Sequence, residues 1–219
     1  MSIEASLGHV FVEPRLLREA LTHRSFGQPH NERLEFIGDS VLNCVIALAL
    51  FERFSDLPEG QLSRMRANLV SQPALHALAV RIDLPEHLRI GEGEEKSGGR
   101  DRPSILADAL EAVFGAIMLD SGFDAAREVI LRLYAQRLAA VNPREGGKDP
   151  KTRLQEYMQG RHLPLPSYAV ERVDGEAHAQ VFTVRCSVRD LGKEGIGTGS
   201  SRRAAEQQAA EAVLRQLGL

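Results

Sequence analysis

Cysteine is scarce in this chain. Cys44 and Cys186 are the only two, too few for a disulfide framework and without a metal-binding spacing. No apolar run approaches the ~20 residues that span a bilayer; the longest, Val41 to Phe51, is interrupted by Asn43. The segment Met1 to Leu17 carries Glu4, Glu13 and Pro14 and has no apolar core of signal-peptide length. These absences lead to the expectation of a cytoplasmic protein without membrane association. P-loop and GxSxG motifs are also missing, as are internal repeats and low-complexity tracts.

What is present is ordinary for a folded protein: 43% hydrophobic and 26% charged residues over 219 positions. That balance excludes a disordered or collagen-like chain, and the length allows one large domain or two small ones. The net charge of −3 speaks against nucleic-acid binding, but it conceals two unlike halves. Residues 1–142 hold 15 Lys and Arg against 20 Asp and Glu, whereas residues 143–219 hold 12 against 10. Between them, Asn142-Pro143-Arg144-Glu145-Gly146-Gly147-Lys148-Asp149-Pro150 reads as a linker, since clustered Pro and Gly disfavour helix and strand alike. The expected organisation is therefore a domain over 1–142, a flexible linker over 143–149 and a second domain over 150–219.

The first half reads as all helical. Leu34, Ile37, Val41, Leu42, Val45 and Leu48 form a buried stripe for a helix over Asn31 to Phe54, with Asn31 as N-cap. Further helices are expected over Gln61 to Val70, Pro73 to Ile82, Ser104 to Leu119 (Ser104 as cap) and Asp124 to Val141. In the second half the period changes. A short helix over Lys151 to Gln159 precedes strands at Tyr168 to Val173, Phe182 to Val188 and Gly195 to Gly199, and Ser200 to Leu217 forms a closing helix. Asp174-Gly175-Glu176 supplies the hairpin turn. This α-β-β-β-α order predicts a small α+β domain, a three-stranded antiparallel sheet with both helices on one side.

Two carboxylate pairs stand out. Glu35 and Asp39 lie four apart on one predicted helix, Asp108 and Glu111 three apart on another, so each pair shares a helix face. Such pairs are usually solvated. Here both helices are apolar around the acids, and each has an interior glycine beside them, Gly38 and Gly115. A mid-helix glycine costs roughly 0.8–1 kcal/mol relative to alanine and calls for a reason. Close approach of the two helices is one, and it would bring four carboxylates together. Such a cluster needs cations, and an all-oxygen site suits Mg²⁺ or Mn²⁺, ions that beside a phosphodiester support nuclease chemistry. Glu32 lies one turn before Glu35 and extends the stripe; spacing alone does not place Glu59. His23 could act as a base but is more simply a hydrogen-bonding residue. A di-metal redox bundle is disfavoured because no Glu-x-x-His pair is present.

In the second half, Gly197-Thr198-Gly199-Ser200-Ser201-Arg202-Arg203 leads a strand into a helix. Free N–H groups at a helix start, joined by two arginines, suit phosphate, and Gln155, Glu156 and His178 lie on elements that could reach an RNA minor groove.

Asn31-Glu32-Arg33-Leu34-Glu35-Phe36-Ile37-Gly38-Asp39-Ser40 resembles the signature of the bacterial ribonuclease III family. Ser63-Arg64-Met65-Arg66-Ala67 and Ser104-Ile105-Leu106-Ala107-Asp108-Ala109-Leu110-Glu111-Ala112 resemble its other characteristic segments. Residues 150–219 resemble the appended double-stranded-RNA-binding domain. The resemblance implies a Mg²⁺-dependent endonuclease (Mn²⁺ substituting) that cuts double-stranded RNA as a homodimer, with no organic cofactor. It implies 5′-phosphate and 3′-hydroxyl ends with a two-nucleotide 3′ overhang, and roles in processing ribosomal, messenger and transfer RNA. It assigns metal binding to Glu35, Asp39, Asp108 and Glu111, with Asp39 and Glu111 catalytic, and a supporting role to Glu32 and Glu59. Phe36 matches an aromatic that inserts into the partner subunit, and Gln155, Glu156, His178, Ser201, Arg202 and Arg203 fall at or beside RNA-contact positions. One departure concerns Glu206, which stands where many such binding domains carry a third lysine. The competing reading is an RNA-binding module with an inactive helical half.

Overall fold

A computed structural model describes residues 2–142, 149–175 and 180–219. The chain divides into two compact units, Met1–Gly147 and Lys148–Leu219. Most of the expected linker, and His178, lie outside the described residues.

The first unit is helical: α1 (Ile3–Leu7), α2 (Pro14–Ala20), α3 (Glu32–Arg53), α4 (Glu59–Leu69), α5 (Gln72–Arg81), α6 (Glu92–Lys96) and α7 (Pro103–Ala140). Of the expected α3 stripe, Leu34, Val41, Leu42 and Val45 are buried in one core with Leu106, Leu110, Val113 and Phe114 of α7; Ile37 is partly buried, and Leu48 is exposed, its place in the core taken by Leu50. By length and composition α3 could cross a membrane, which counting consecutive apolar residues does not reveal; the stripe is buried within the unit. Asn31 occupies the cap position but makes no side-chain cap bond; it is buried, and its carbonyl accepts the Glu35 N–H at 2.9 Å. Nor is Ser104 the cap of α7, because Pro103 is already the first helical residue, a position where the missing N–H costs nothing. The two helices expected over 104–119 and 124–141 are both present, running end to end within α7 and separated at Gly122, whose φ of 83° lies outside the helical region.

Gly38 and Gly115 let α3 and α7 touch backbone to backbone. A Cβ on Gly38 would lie 1.8 Å from the Glu111 carbonyl oxygen, and one on Gly115 would lie 2.1 Å from that of Leu34. No larger residue fits at either place without moving a helix.

The second unit runs α8 (Pro150–Gly160), β1 (Ser167–Asp174), β2 (Val181–Val188), β3 (Lys193–Gly199) and α9 (Arg202–Gln216), with an antiparallel sheet in the order β1-β2-β3. Asp149 caps α8 by accepting the Thr152 N–H at 3.0 Å. Alternate β2 residues Val184, Cys186 and Val188 pack on Leu154 and Met158 of α8 and on Ala205, Ala209 and Val213 of α9, so both helices cover one face. The glycines of β3 have a steric reason: a Cβ on Gly197 would meet the Ala209 nitrogen at 2.2 Å.

Candidate active site

The contact between α3 and α7 assembles an acidic group. Glu35 projects from the first turn of α3, and Asp108 and Glu111 from α7. One carboxylate oxygen from each lies within 4.8 Å of the others. Like charges at that range repel by roughly 3 kcal/mol per pair at an effective dielectric near 20, and the ionisation of the group records it. The Glu111 carboxyl is pushed up to about 8 by burial and by the charges of Asp39, Asp108 and Glu35. Burial, then Asp108, Glu32 and Asp39, raises Glu35; burial also raises Asp108, against the pull of His23 and Arg24. Three crowded carboxylates with no thiolate or imidazole in the set are the donors a hard divalent cation takes.

Asp39 is not within this group of three. It is exposed one turn further along α3, where its carboxylate accepts a bond from Asn43 Nδ2 at 2.8 Å. It remains near enough to act on Glu111 through its charge. The expected convergence of four acids is therefore a half-buried three with a fourth, exposed, at its edge.

A cleft of about 460 Å³ opens beside the acids, lined by Glu32, Glu35 and Asp108 and by His23, Arg24 and Arg102. Arg24 pairs with Glu32 at 3.4 Å and Arg102 with Glu94 at 2.6 Å. His23 shares a 2.8 Å hydrogen bond between Nδ1 and Ser25 Oγ, and burial lowers its pKa against the opposing influence of Glu94. Arg24, Glu94 and Arg102 are not legible from spacing, because they reach the cleft from three separate segments of the chain. Glu59 accepts from Ser63 Oγ at 2.6 Å and lines a separate apolar groove with Cys44 and Phe51. Phe36 is 77% exposed on α3, beside a hollow lined by Leu16, Ile37 and Leu119.

In the second unit, Gln155 and Glu156 are exposed on α8. Ser201 caps α9, its hydroxyl accepting the Ala204 N–H at 3.2 Å. Arg203 is exposed, while Arg202 donates through Nε to Glu206 at 2.9 Å.

The description Ribonuclease-III-like matches residues 13–138, more than half the chain, and Double-stranded RNA binding motif matches residues 150–217. The chain belongs to the ribonuclease III family. Ribonuclease 3 of Aromatoleum aromaticum is 63% identical over 215 residues, covering 98% of this chain and 96% of that protein. Ribonuclease 3 of Ralstonia nicotianae is 57% identical over 219 residues, 99% and 86% of the two chains. Among solved structures, the nuclease domain of ribonuclease III from Campylobacter jejuni is similar with a TM-score of 0.60 and 44% identity, covering 61% of this chain and 94% of that one. The three-acid group thus lies in the nuclease part of a ribonuclease III, and the Arg202–Arg203 end of α9 in its RNA-binding part.

Proposed function

We propose that the chain is a Mg²⁺-dependent endoribonuclease, with Mn²⁺ as a substitute, whose catalytic domain spans 1–142 and whose RNA-binding domain spans 150–219, joined by a linker over 143–149. The observation that carries this reading is the three-acid group of Glu35, Asp108 and Glu111 at a backbone-to-backbone helix contact. When bound, a divalent ion supplies activation of water and stabilisation of the leaving oxygen at the phosphodiester. Glu35, Asp108 and Glu111 would hold it, with Asp39 joining from the edge. Partial burial of Glu111 means that its carboxylate would be stabilised chiefly by that cation, and it is assigned a catalytic role together with Asp39. Glu32 supports the acidic surface from within the same cleft; Glu59 lines a separate groove and takes no part in that cleft within one chain. Arg24 and Arg102 offset phosphate charge along the cleft. Water oxygen adds to phosphorus, the P–O3′ bond breaks, and the products carry 5′-phosphate and 3′-hydroxyl ends.

Two copies of the chain would cut the two strands, with Phe36 of each seated in its partner and the staggered cuts leaving two-nucleotide 3′ overhangs. The second domain recognises duplex RNA by shape, through Gln155, Glu156 and His178 towards the minor groove and through Ser201, Arg202 and Arg203 towards phosphate. The natural substrates are precursors of ribosomal and transfer RNA and structured messenger RNAs in the cytoplasm. The test is incubation of end-labelled duplex RNA with and without Mg²⁺. Metal-dependent cutting to short duplexes is expected; a gel shift without cutting at any Mg²⁺ concentration would contradict the reading.

A further inference from the structure

Glu206 is an acid buried where cations are wanted. It lies on α9 one turn beyond Arg202 and is only 9% exposed. Its Oε2 accepts from Lys151 Nζ at 2.6 Å and its Oε1 from Arg202 Nε at 2.9 Å. Lys151 belongs to the first turn of α8. Its ammonium also lies 4.6 Å from the centroid of the Tyr168 ring on β1, and its backbone N–H donates to Gln207 Oε1 on α9 at 3.0 Å. One carboxylate therefore links α8 to α9 across 55 residues of chain.

Charge alone makes Glu206 a nuisance: an acid among cations opposes an anionic ligand, and its removal should tighten binding. The geometry points the other way. Arg202 gives Glu206 one of the five N–H groups of its fork, and its side chain is still 64% exposed, so the remaining donors reach solvent. A long side chain held at its Nε loses less freedom when its other donors meet a phosphate. Lys151, meanwhile, is taken up between Glu206 and Tyr168 and acts as a strut. Lys151 and Arg202 together hold the Glu206 carboxyl below its ordinary pKa, so it stays charged.

We propose that Glu206 is a positioning residue for duplex RNA, fixing Arg202 for phosphate contact. This rests on the reading that the Arg202–Arg203 end of α9 touches RNA.

The experiment measures duplex-RNA affinity of the full chain in EDTA, where no cutting occurs, for wild type, Glu206→Gln, Arg202→Ala and the double variant, with thermal melting alongside. Glu206→Gln makes the protein more positive by one charge, yet binding is expected to weaken about fivefold. In the Arg202→Ala background the same change should have less than about a twofold effect, because its route of action is gone. Equal or tighter binding by Glu206→Gln, or a full additive loss in the double variant, would overturn the proposal. If Arg202→Ala itself binds like wild type, the failure belongs to the reading of the RNA-binding face. Should Glu206→Gln not fold, Arg202→Lys serves instead: it keeps the charge but has no fork to hold by one edge. It is expected to bind as weakly as Arg202→Ala, and wild-type affinity would overturn the proposal.

Discussion

The α-carbon of Gly38 and the carbonyl oxygen of Glu111 are so close that a side chain of a single carbon would collide with that oxygen at 1.8 Å. The same contact delivers Glu111 to Glu35 and closes the core between α3 and α7, so stability and chemistry share one point. Gly38→Ala is expected to cost at least the upper part of the ~1–3 kcal/mol seen for overpacking, read as a lower denaturation midpoint. It should also depress cleavage of duplex RNA more than the unfolded fraction accounts for. Full activity per folded molecule would show that the acids tolerate a change in helix spacing.

Glu111→Gln separates function from stability. The variant should fail to cut duplex RNA while binding it normally, since the RNA-binding unit is untouched. Without divalent ions, and above about pH 8 where the Glu111 carboxyl of the folded chain is ionised, its melting temperature should exceed that of wild type by about 2–4 °C, the shift of a ~1 kcal/mol relief of repulsion in a chain of this size. Cleavage at the wild-type rate would refute the assigned role.

Asp120 predicts an acid limit to stability. Its side chain is fully enclosed and accepts the N–H groups of Glu13 at 2.7 Å and Val12 at 3.1 Å at the start of α2, and the Ser121 hydroxyl at 2.7 Å. Burial would raise its pKa, but the bonds from Glu13, Ser121 and Val12 outweigh it and hold the carboxyl below the ordinary range. A folded-state value below the unfolded one means that the contribution is complete above about pH 4 and is lost as pH falls through the folded value. Asp120→Asn should cost about 1–2 kcal/mol at neutral pH and flatten the fall of stability below about pH 4. Denaturation curves across that range check this; an unchanged acid slope would show that other carboxylates govern it.

Much of this was legible in the sequence, and the reasons differ from residue to residue. The acids at three- and four-residue spacing and the glycines beside them predicted a close helix contact, because an interior glycine is costly unless a backbone comes near. Alternation of Gly195, Gly197 and Gly199 along β3 marks the face that meets α9, but the sequence does not say which element lies against it. The short helices α1 and α2 have too few turns for a period to emerge. The separation of α7 at Gly122 is legible, because a glycine in a non-helical conformation ends one periodic stretch before the next begins. Glu206 stands out in the sequence as an acid beside two arginines, but Lys151, its partner, is 55 residues away and no local motif joins them. Asp39 shows the limit of spacing arguments: it shares a face with Glu35 but turns to Asn43 instead of joining the group of three.

Arg203 offers a salt-dependent test of the second unit. Arg203→Ala should weaken binding about equally across duplex sequences and lower the slope of log affinity against log salt by about one. Titrations at several salt concentrations measure this, and an unchanged slope would remove Arg203 from the phosphate contacts.

The most direct test of the central claim is to find the ion. Crystals of the chain soaked in Mn²⁺ should show one anomalous peak or more within about 2.1–2.2 Å of carboxylate oxygens of Glu35, Asp108 and Glu111, a distance expected of small hard divalent ions, and the peak should vanish in Glu111→Gln. Crystals without Mn²⁺ among these three acids, at concentrations that support cutting of duplex RNA, would contradict the account.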